Sequence, residues 1–229
     1  MTSLLLLGFI IGMRHALEAD HLAAIATIST KENSLMSGLK HGAVWGLGHT
    51  TTLLLFGSIV IMMNTVISPE LATLLEGAVG LMLIGLGIDV IYRLIKQRIH
   101  FHAHSHDSKT SHFHAHSHQG EKKHQTSKHQ HSHQPFPYRT LFIGFMHGLA
   151  GSAALVLLTI NTMDSVGLSI AYILLFGLGS IIGMATLSVI IAVPLRASAK
   201  LTWLHNGLQA SIGFLTLGLG SSIVYHTLL

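Results

Sequence analysis

The sequence contains no cysteine. This absence excludes a disulfide scaffold, thiol catalysis and any site in which cysteine binds zinc or an iron–sulfur cluster. Imidazole and carboxylate groups remain as the strong side-chain metal ligands. A transition-metal site in this chain would therefore depend on histidine, aspartate and glutamate.

Charge is also scarce. Asp, Glu, Lys and Arg make up 10% of the 229 residues, whereas about 25% is usual in soluble domains. Apolar residues make up 49% of the chain, and so few charges cannot cover a soluble surface. The net charge of +4 does not indicate nucleic-acid binding, because most basic residues lie between Arg93 and Arg139, next to apolar segments.

Six apolar runs are each long enough for a transmembrane helix, which needs roughly 20 residues. They lie at Leu4–Ile28, Leu39–Met63, Leu71–Ile95, Leu141–Thr162, Ser165–Leu195 and Leu204–Leu229. No Lys or Arg precedes the first run and no small-residue cleavage site follows it, so we interpret it as a retained helix rather than a signal peptide. Basic residues occur in the first, third and fifth links only. The positive-inside rule then predicts a cytoplasmic central loop and both termini outside the cytoplasmic membrane.

The two halves of the chain resemble each other. At an offset of 132 residues, Gly12 pairs with Gly144 and His15 with His147, and Gly-Leu-Gly motifs follow in the same order in both halves. Because each half has an odd number of predicted helices, the second copy must be inverted relative to the first. Inverted repeats are frequent in secondary transporters, where the binding site lies near the bilayer midplane.

The predicted fold is an all-α membrane protein with six transmembrane helices in two inverted three-helix repeats. Residues 1–95 form the first repeat and 140–229 the second. Residues 96–139 form a flexible, polar, His-rich cytoplasmic loop between them.

Five ionisable residues interrupt the first apolar run: Arg14, His15, Glu18, Asp20 and His21. Ionisable residues at this depth cost several kcal/mol each and by default are functional. An interfacial ion pair could explain Arg14 and Glu18, which are four residues apart. It does not explain the adjacent Asp20 and His21.

His15, Asp20 and His21 are the ligand types expected for Ni²⁺ or Co²⁺, with Zn²⁺ as an alternative. On a straight helix, Asp20 would point about 140° away from His15, so one ion could not reach all three side chains. Either the helix is interrupted between His15 and His21, with Gly12 contributing slack, or Asp20 orients a histidine. We favour the interruption, because unwound backbone is common at midplane sites.

A second helix contributes His49, the best candidate for a further ligand, and small residues before it allow close helix contact. Glu18 and His147 are candidates for metal binding or proton transfer. The other histidines outside the central loop are expected near the membrane interfaces: His41, His205 and His226.

The first-helix segment MRHALEADHLAAIA resembles the His-x4-Asp-His signature of the nickel/cobalt transporter superfamily, and Gly46–Thr50 resembles its Leu-Gly-His-Ser/Thr motif. The His-rich centre and the segment GFMHGLAGSAAL are similar to the six-helix branch that includes urease-accessory membrane proteins. The resemblance implies metal recognition by His15, Asp20, His21 and, less directly, His49. It implies Ni²⁺ or Co²⁺ as transported substrate, without a prosthetic group.

Twelve of the nineteen histidines lie in the central loop, where HFHAHSH recurs with a 12-residue period. They are His100, His102, His104, His106, His112, His114, His116, His118, His124, His129, His131 and His133. The polar composition predicts disorder without metal, and the histidines offer many overlapping weak sites for metal capture, buffering or sensing. A linker without a metal function is the alternative.

These features predict a secondary transporter that moves nickel, or cobalt, across the cytoplasmic membrane. Uptake for urease or hydrogenase is favoured, with an efflux carrier for divalent nickel, cobalt or zinc as the alternative. A binding-only metallochaperone would need the loop but not the helix-one residues. No Walker motif and no HExxH motif is present, so neither ATP hydrolysis within this chain nor catalysis is expected. Expected partners are the lipid bilayer and cytoplasmic nickel chaperones or urease accessory proteins.

Overall fold

The computed structural model describes residues 2–32, 34–63, 68–96, 100–106, 110–116, 136–149 and 165–228. Seven α-helices occur in these ranges. They are α1 (Thr2–His15), α2 (Ala19–Ser29), α3 (Leu35–Met63), α4 (Pro69–Lys96), α5 (Tyr138–Gly148), α6 (Val166–Ala197) and α7 (Thr202–Leu228). A short 3₁₀ turn, Ser198–Lys200, connects α6 to α7.

Four of these helices are long and apolar enough to cross a membrane: α3, α4, α6 and most of α7. They correspond to the second, third, fifth and sixth predicted spans, with ends that differ by a few residues. The first predicted span, Leu4–Ile28, is divided into α1 and α2. For the fourth, the described part ends at Leu149, and the remainder up to Thr162 lies outside the described residues.

The outward-facing surface of the helices is apolar. Leu55 on α3 is 58% exposed, Ile88 on α4 is 54% exposed and Phe214 on α7 is 62% exposed. Side chains of this kind are expected to contact lipid acyl chains. His15 and His21 of the first span, by contrast, are buried. The chain is therefore a multi-pass membrane protein.

Helices α3 and α6 cross in opposite directions with close contact. Ser188 Oγ donates to the carbonyl oxygen of Gly38 at 2.8 Å, and Thr50 Oγ1 donates to that of Gly177 at 3.1 Å. Residue numbers therefore rise on α3 as they fall on α6. Small residues allow this approach, which also brings the His49 segment of α3 beside the centre of α6.

Helices α4 and α7 form a second antiparallel pair. A Cβ atom at Gly80 would lie 3.0 Å from the carbonyl oxygen of Gly220, and one at Gly87 would lie 2.8 Å from that of Gly213. In the repeat, Gly80 is the counterpart of Gly213 and Gly87 is the counterpart of Gly220. The two contacts are therefore equivalent to each other. The α4–α7 pair lies beside α2, which contacts both helices.

The central polar segment contains a two-stranded antiparallel hairpin, β1 (His100–His106) and β2 (Thr110–His116). His102 lies opposite His114 and His104 opposite His112. The alternation of histidine with Phe, Ala and Ser has the two-residue period of a strand in these fourteen positions, and the disorder expected of the loop stays a prediction. Residues 117–135, which include His118, His124, His129, His131 and His133, lie outside the described residues.

Candidate metal site

The first span is interrupted between His15 and Ala19. Leu17 N–H donates to the carbonyl oxygen of Arg14 at 2.9 Å, and Glu18 N–H donates to that of His15 at 3.1 Å. Glu18 then has an extended backbone, with φ −63° and ψ 147°, and α2 begins at the next residue. The interruption favoured on sequence grounds is present.

The charges beside the break match the polarity of the two helix ends. Arg14 and His15 lie in the last turn of α1, and Asp20 lies in the first turn of α2. Cations are stabilised at a helix C-terminus and anions at an N-terminus. Gly12 is not the source of slack, because it lies inside α1, where a Cβ atom would overlap the backbone of Phe176.

Three imidazole rings converge at the break: those of His15, His21 and His49. They are 4%, 1% and 0% exposed. His15 Nε2 lies 3.2 Å from His49 Nε2. The centroid of the His21 ring lies 4.2 Å from that of His15 and 5.1 Å from that of His49. One nitrogen from each ring lies within 4.8 Å of the other two, which is close enough for all three to bind one ion.

Asp20 connects this cluster to a fourth histidine. Its Oδ1 accepts a hydrogen bond from Nδ1 of His21 at 2.9 Å, and its Oδ2 accepts one from Nε2 of His147 at 2.9 Å. A carboxylate can only accept, so these bonds place a proton on each of the two nitrogens. The opposite nitrogens, Nε2 of His21 and Nδ1 of His147, are buried and have no hydrogen-bond partner among the described residues.

Glu18 has a corresponding role beside His15. Its Oε1 accepts a hydrogen bond from Nδ1 of His15 at 2.8 Å, while 46% of the Glu18 side chain is exposed. With the proton of a neutral imidazole on Nδ1, the lone pair of His15 Nε2 is directed towards His49. Carboxylates that hold histidines in this way commonly fix the ring orientation at metal sites.

Two aromatic side chains close the cluster, and sequence reasoning missed both. The ring centroid of Phe176 lies 5.4 Å from that of His15, and the centroid of Trp45 lies 5.3 Å from that of His147. Both aromatic rings are buried. Each precedes a Gly-Leu-Gly motif, at equivalent positions of the two halves, and this signal could have identified them.

Glycines allow α5 to approach α3 and so bring His147 to the cluster. A Cβ atom at Gly144 would overlap the carbonyl oxygen of Trp45, and one at Gly148 would lie 2.6 Å from that of His49. The corresponding contact in the other half is between Gly12 and Phe176. His147 was predicted as the repeat partner of His15 and as a candidate for metal binding or proton transfer, and the structure brings it into hydrogen-bond contact with Asp20.

The remaining predicted residues lie elsewhere. His41, on α3, contacts Glu32 and Thr140, and His205, near the start of α7, contacts Ser198 and Gln209. His226 lies in the last turn of α7. The loop histidines that the structure describes lie in β1 and β2.

The fold and this site define a multi-pass membrane protein with a buried histidine–carboxylate centre, which has the ligand chemistry of a site for a borderline divalent metal ion. Residues 1–225 match the NicO family, described as high-affinity nickel-transport protein. The chain belongs to this family of nickel transporters, as the motif resemblance predicts.

Several individual proteins are also similar to the chain. The urease accessory protein UreH of Bacillus sp. (strain TB-90) is 38% identical over 227 residues, which cover 99% of this chain and 92% of UreH. The chloroplast proteins FOR GROWTH AND FERTILITY 2 and 1 of Arabidopsis thaliana are 25% and 26% identical, and the chain spans 55% and 57% of their lengths. No solved structure is significantly similar to the chain.

Proposed function

We propose that the protein is a secondary transporter that moves Ni²⁺, and also Co²⁺, across the cytoplasmic membrane. The ion binds at the break between α1 and α2, to His15, His21 and His49, in a centre completed by Asp20. One observation carries the proposal: in a chain of the nickel-transport family, three buried imidazoles converge at an interruption in a membrane helix.

The contact between His15 and His49 supports a cation between the two rings. Metal–nitrogen bonds of about 2.0–2.1 Å separate two neighbouring ligands of one ion by roughly 3.0–3.4 Å. The observed distance between the two Nε2 atoms is 3.2 Å. A bound ion would use both lone pairs, and it would also give the unpaired Nε2 of His21 a partner.

Asp20 fits the role of an orienting carboxylate better than that of a direct ligand, because both of its oxygens already accept hydrogen bonds from histidines. It also places a full negative charge at the N-terminus of α2. Without that charge, the positive end of the helix would oppose a nearby cation. Glu18 and His147 then act on the site through His15 and Asp20.

For the architecture we propose two inverted repeats of three helices, 1–95 and 140–229. The equivalent helices α3 and α6 are antiparallel, as are α4 and α7, and a pair of equivalent helices is antiparallel only when the repeats are inverted. The contacts of α1 with α6 correspond to those of α5 with α3. Rocking of one repeat against the other would expose the central site alternately to the two sides.

For the direction we propose uptake, with residues 96–139 and the first and fifth links in the cytoplasm and both termini outside. The distribution of Lys and Arg supports this orientation. The similarity to a protein named as a urease accessory protein supports supply of nickel to a nickel enzyme. The loop histidines, His100–His133, would receive the ion, and cytoplasmic nickel chaperones are candidate acceptors.

Uptake of radioactive Ni²⁺ and Co²⁺ into vesicles tests the proposal. We compare the intact protein with the double variant Asp20→Ala/His21→Ala, with a deletion of 100–133 and with Glu76→Gln, a control at an exposed carboxylate on α4. The double variant should abolish transport, the loop deletion should change only apparent affinity or regulation, and the control should behave as the intact protein. Loss of transport from the loop deletion alone would assign the function to the loop. Metal accumulation in cells that lack the protein would indicate efflux, and equal competition by Zn²⁺ would indicate a general divalent carrier.

A further inference from the structure

A largely apolar pocket with several polar residues in its lining lies away from the metal-site cluster. It has a volume of about 120 Å³ and is formed by the end of α2 and the link that follows it, the first part of α3, the last part of α4 and the start of α5. Its polar lining includes Lys31, Glu32, His41, Asp89, Arg139 and Thr140. On α3, His41 precedes His49 by eight residues, which corresponds to about 12 Å along the helix.

Glu32 is a buried carboxylate in this pocket, with 8% of its side chain exposed. One of its oxygens accepts a hydrogen bond from Ser37 Oγ, and the other lies 3.4 Å from Nε2 of His41. On the other side of the same ring, Nδ1 of His41 lies 2.8 Å from Thr140 Oγ1. A carboxylate, an imidazole and a hydroxyl group from three different elements therefore meet at one wall of the pocket.

The cations around the pocket are paired with Asp89 instead of Glu32. One carboxylate oxygen of Asp89 lies 2.8 Å from Nζ of Lys31, 3.5 Å from Nε of Arg93 and 3.7 Å from a guanidinium nitrogen of Arg139. Arg139 is 65% exposed, so solvent and salt screen its charge. Within the described part of the chain, no Lys or Arg forms an ion pair with Glu32.

A buried carboxylate is costly unless a charge compensates it. Here the compensating charge can come from a small cation. Two ligand atoms of one ion lie roughly 3.0–3.4 Å apart when each bond is about 2.0–2.1 Å long. The 3.4 Å between Glu32 Oε1 and His41 Nε2 fits this separation, and the pocket has room for the water molecules that would complete the coordination.

We propose that Glu32 and His41 form a second site for the transported divalent cation, which the ion occupies on its way to or from the helix break. The inference rests on the proposed function, because the ion that binds in this pocket is the same Ni²⁺ or Co²⁺ ion that the protein is proposed to transport. Two protein ligands and water give weaker binding than three converging imidazoles. Weak binding suits a transit site, since an ion must leave it as readily as it enters.

Anomalous X-ray diffraction from crystals of the full chain grown with Co²⁺, collected above the cobalt edge, tests this site. We expect one peak among His15, His21 and His49 and a second, weaker peak between Glu32 and His41. Glu32→Gln should remove the second peak and keep the first, and Glu76→Gln should keep both. A peak at the helix break, with none beside Glu32 at saturating Co²⁺, would overturn this inference and leave the proposed function intact. Absence of the peak at the helix break would overturn the proposed function itself.

Initial rates of Ni²⁺ uptake into proteoliposomes, compared with equilibrium Ni²⁺ binding, distinguish a transit role of Glu32 and His41 from a general effect on folding. Glu32→Gln should lower the initial rate of Ni²⁺ uptake at least ten-fold, while equilibrium Ni²⁺ binding at the helix break stays within two-fold of the intact protein. His41→Gln should have the same two effects, and it provides the test if Glu32→Gln does not fold. Uptake at the unaltered rate in a folded variant, or an equal loss of binding and rate, contradicts a transit role.

Discussion

Substitution of Asp20 by asparagine should weaken Ni²⁺ binding without abolishing it. The Asp20 carboxylate accepts hydrogen bonds from Nδ1 of His21 and Nε2 of His147, both at 2.9 Å. Asparagine can accept one of them through its oxygen, but its amide nitrogen only donates. One imidazole proton therefore loses its acceptor, and the ring that carries it is no longer held in the orientation that directs its free nitrogen.

The magnitude follows from this count. A hydrogen bond to a charged group contributes about 1.5–3 kcal/mol, and Asp20→Asn loses one of the two that the carboxylate accepts from imidazole rings. If that loss falls on the metal-bound state, affinity decreases about 10- to 150-fold, since each 1.4 kcal/mol is a factor of about ten. Loss of an orienting carboxylate at a metal site typically costs 10- to 100-fold. His21→Ala removes a ligand and should cost more than either estimate.

Fluorescence of Trp45 provides the assay. Its ring centroid lies 5.5 Å from that of His21, so a bound Ni²⁺ or Co²⁺ ion at the cluster should quench it. The chain has two tryptophans, and Trp203→Phe leaves Trp45 as the single reporter. Titration of the full chain in detergent gives the apparent Kd for Asp20→Asn, His21→Ala and the control Glu76→Gln. An unchanged Kd for Asp20→Asn would refute the orienting role, and a loss as large as that of His21→Ala would make Asp20 a direct ligand.

Three further predictions concern the surroundings of the site. His147→Ala should weaken Ni²⁺ binding about ten-fold by the same Trp45 quenching, because Asp20 loses one donor; His147→Gln, which restores an N–H group, should recover most of the affinity. Gly144→Ala should destabilise the protein by at least about 1–3 kcal/mol in detergent, since its Cβ overlaps backbone, whereas Gly218→Ala, with nothing within 4 Å, should not lower the unfolding temperature. Metal binding that depends on residues 100–133 should weaken steeply below about pH 6, because an unperturbed imidazole has a pKa near 6.5 and binds metal only when neutral. Calorimetry of the intact chain and the loop deletion at pH 7.5 and 5.5 gives the part of the binding that depends on the loop. Equal loop-dependent binding at both pH values would contradict the prediction.

The sequence predicted the break in the first span, but it did not predict which side chains form hydrogen bonds beside the break. The break could be predicted because five ionisable residues within eight positions are incompatible with an ordinary membrane helix, and because a straight helix would separate His15 from Asp20. The contact of Asp20 with His147 could not be predicted, since it joins residues 127 positions apart and depends on how closely α5 approaches α3. The repeat offset marked His147 as a counterpart of His15, but a counterpart need not face the same cavity.

The role expected of Gly12 is wrong for a physical reason. Gly12 suggested slack in the first span, but a glycine inside a membrane helix more often permits close contact with a neighbour, here Phe176. The polar composition of the central segment indicates a lack of core-forming residues, and the disorder that we expect from it stays a prediction. Composition alone does not show that the backbone can pair locally where residues alternate with a two-residue period, as in β1 and β2.

The division of the first span has an electrical consequence. Helix α1 has 14 residues and α2 has 11, which correspond to lengths of about 21 and 16 Å. From these lengths we expect their junction near the middle of the bilayer, where a divalent cation arriving from either side would have crossed about half of the transmembrane field. Because one elementary charge moved through 100 mV corresponds to about 2.3 kcal/mol, two charges moved half-way correspond to the same amount, or roughly a 50-fold change in apparent affinity. A membrane potential that is negative inside would therefore favour both loading of the site from the outer side and release of the ion to the inner side.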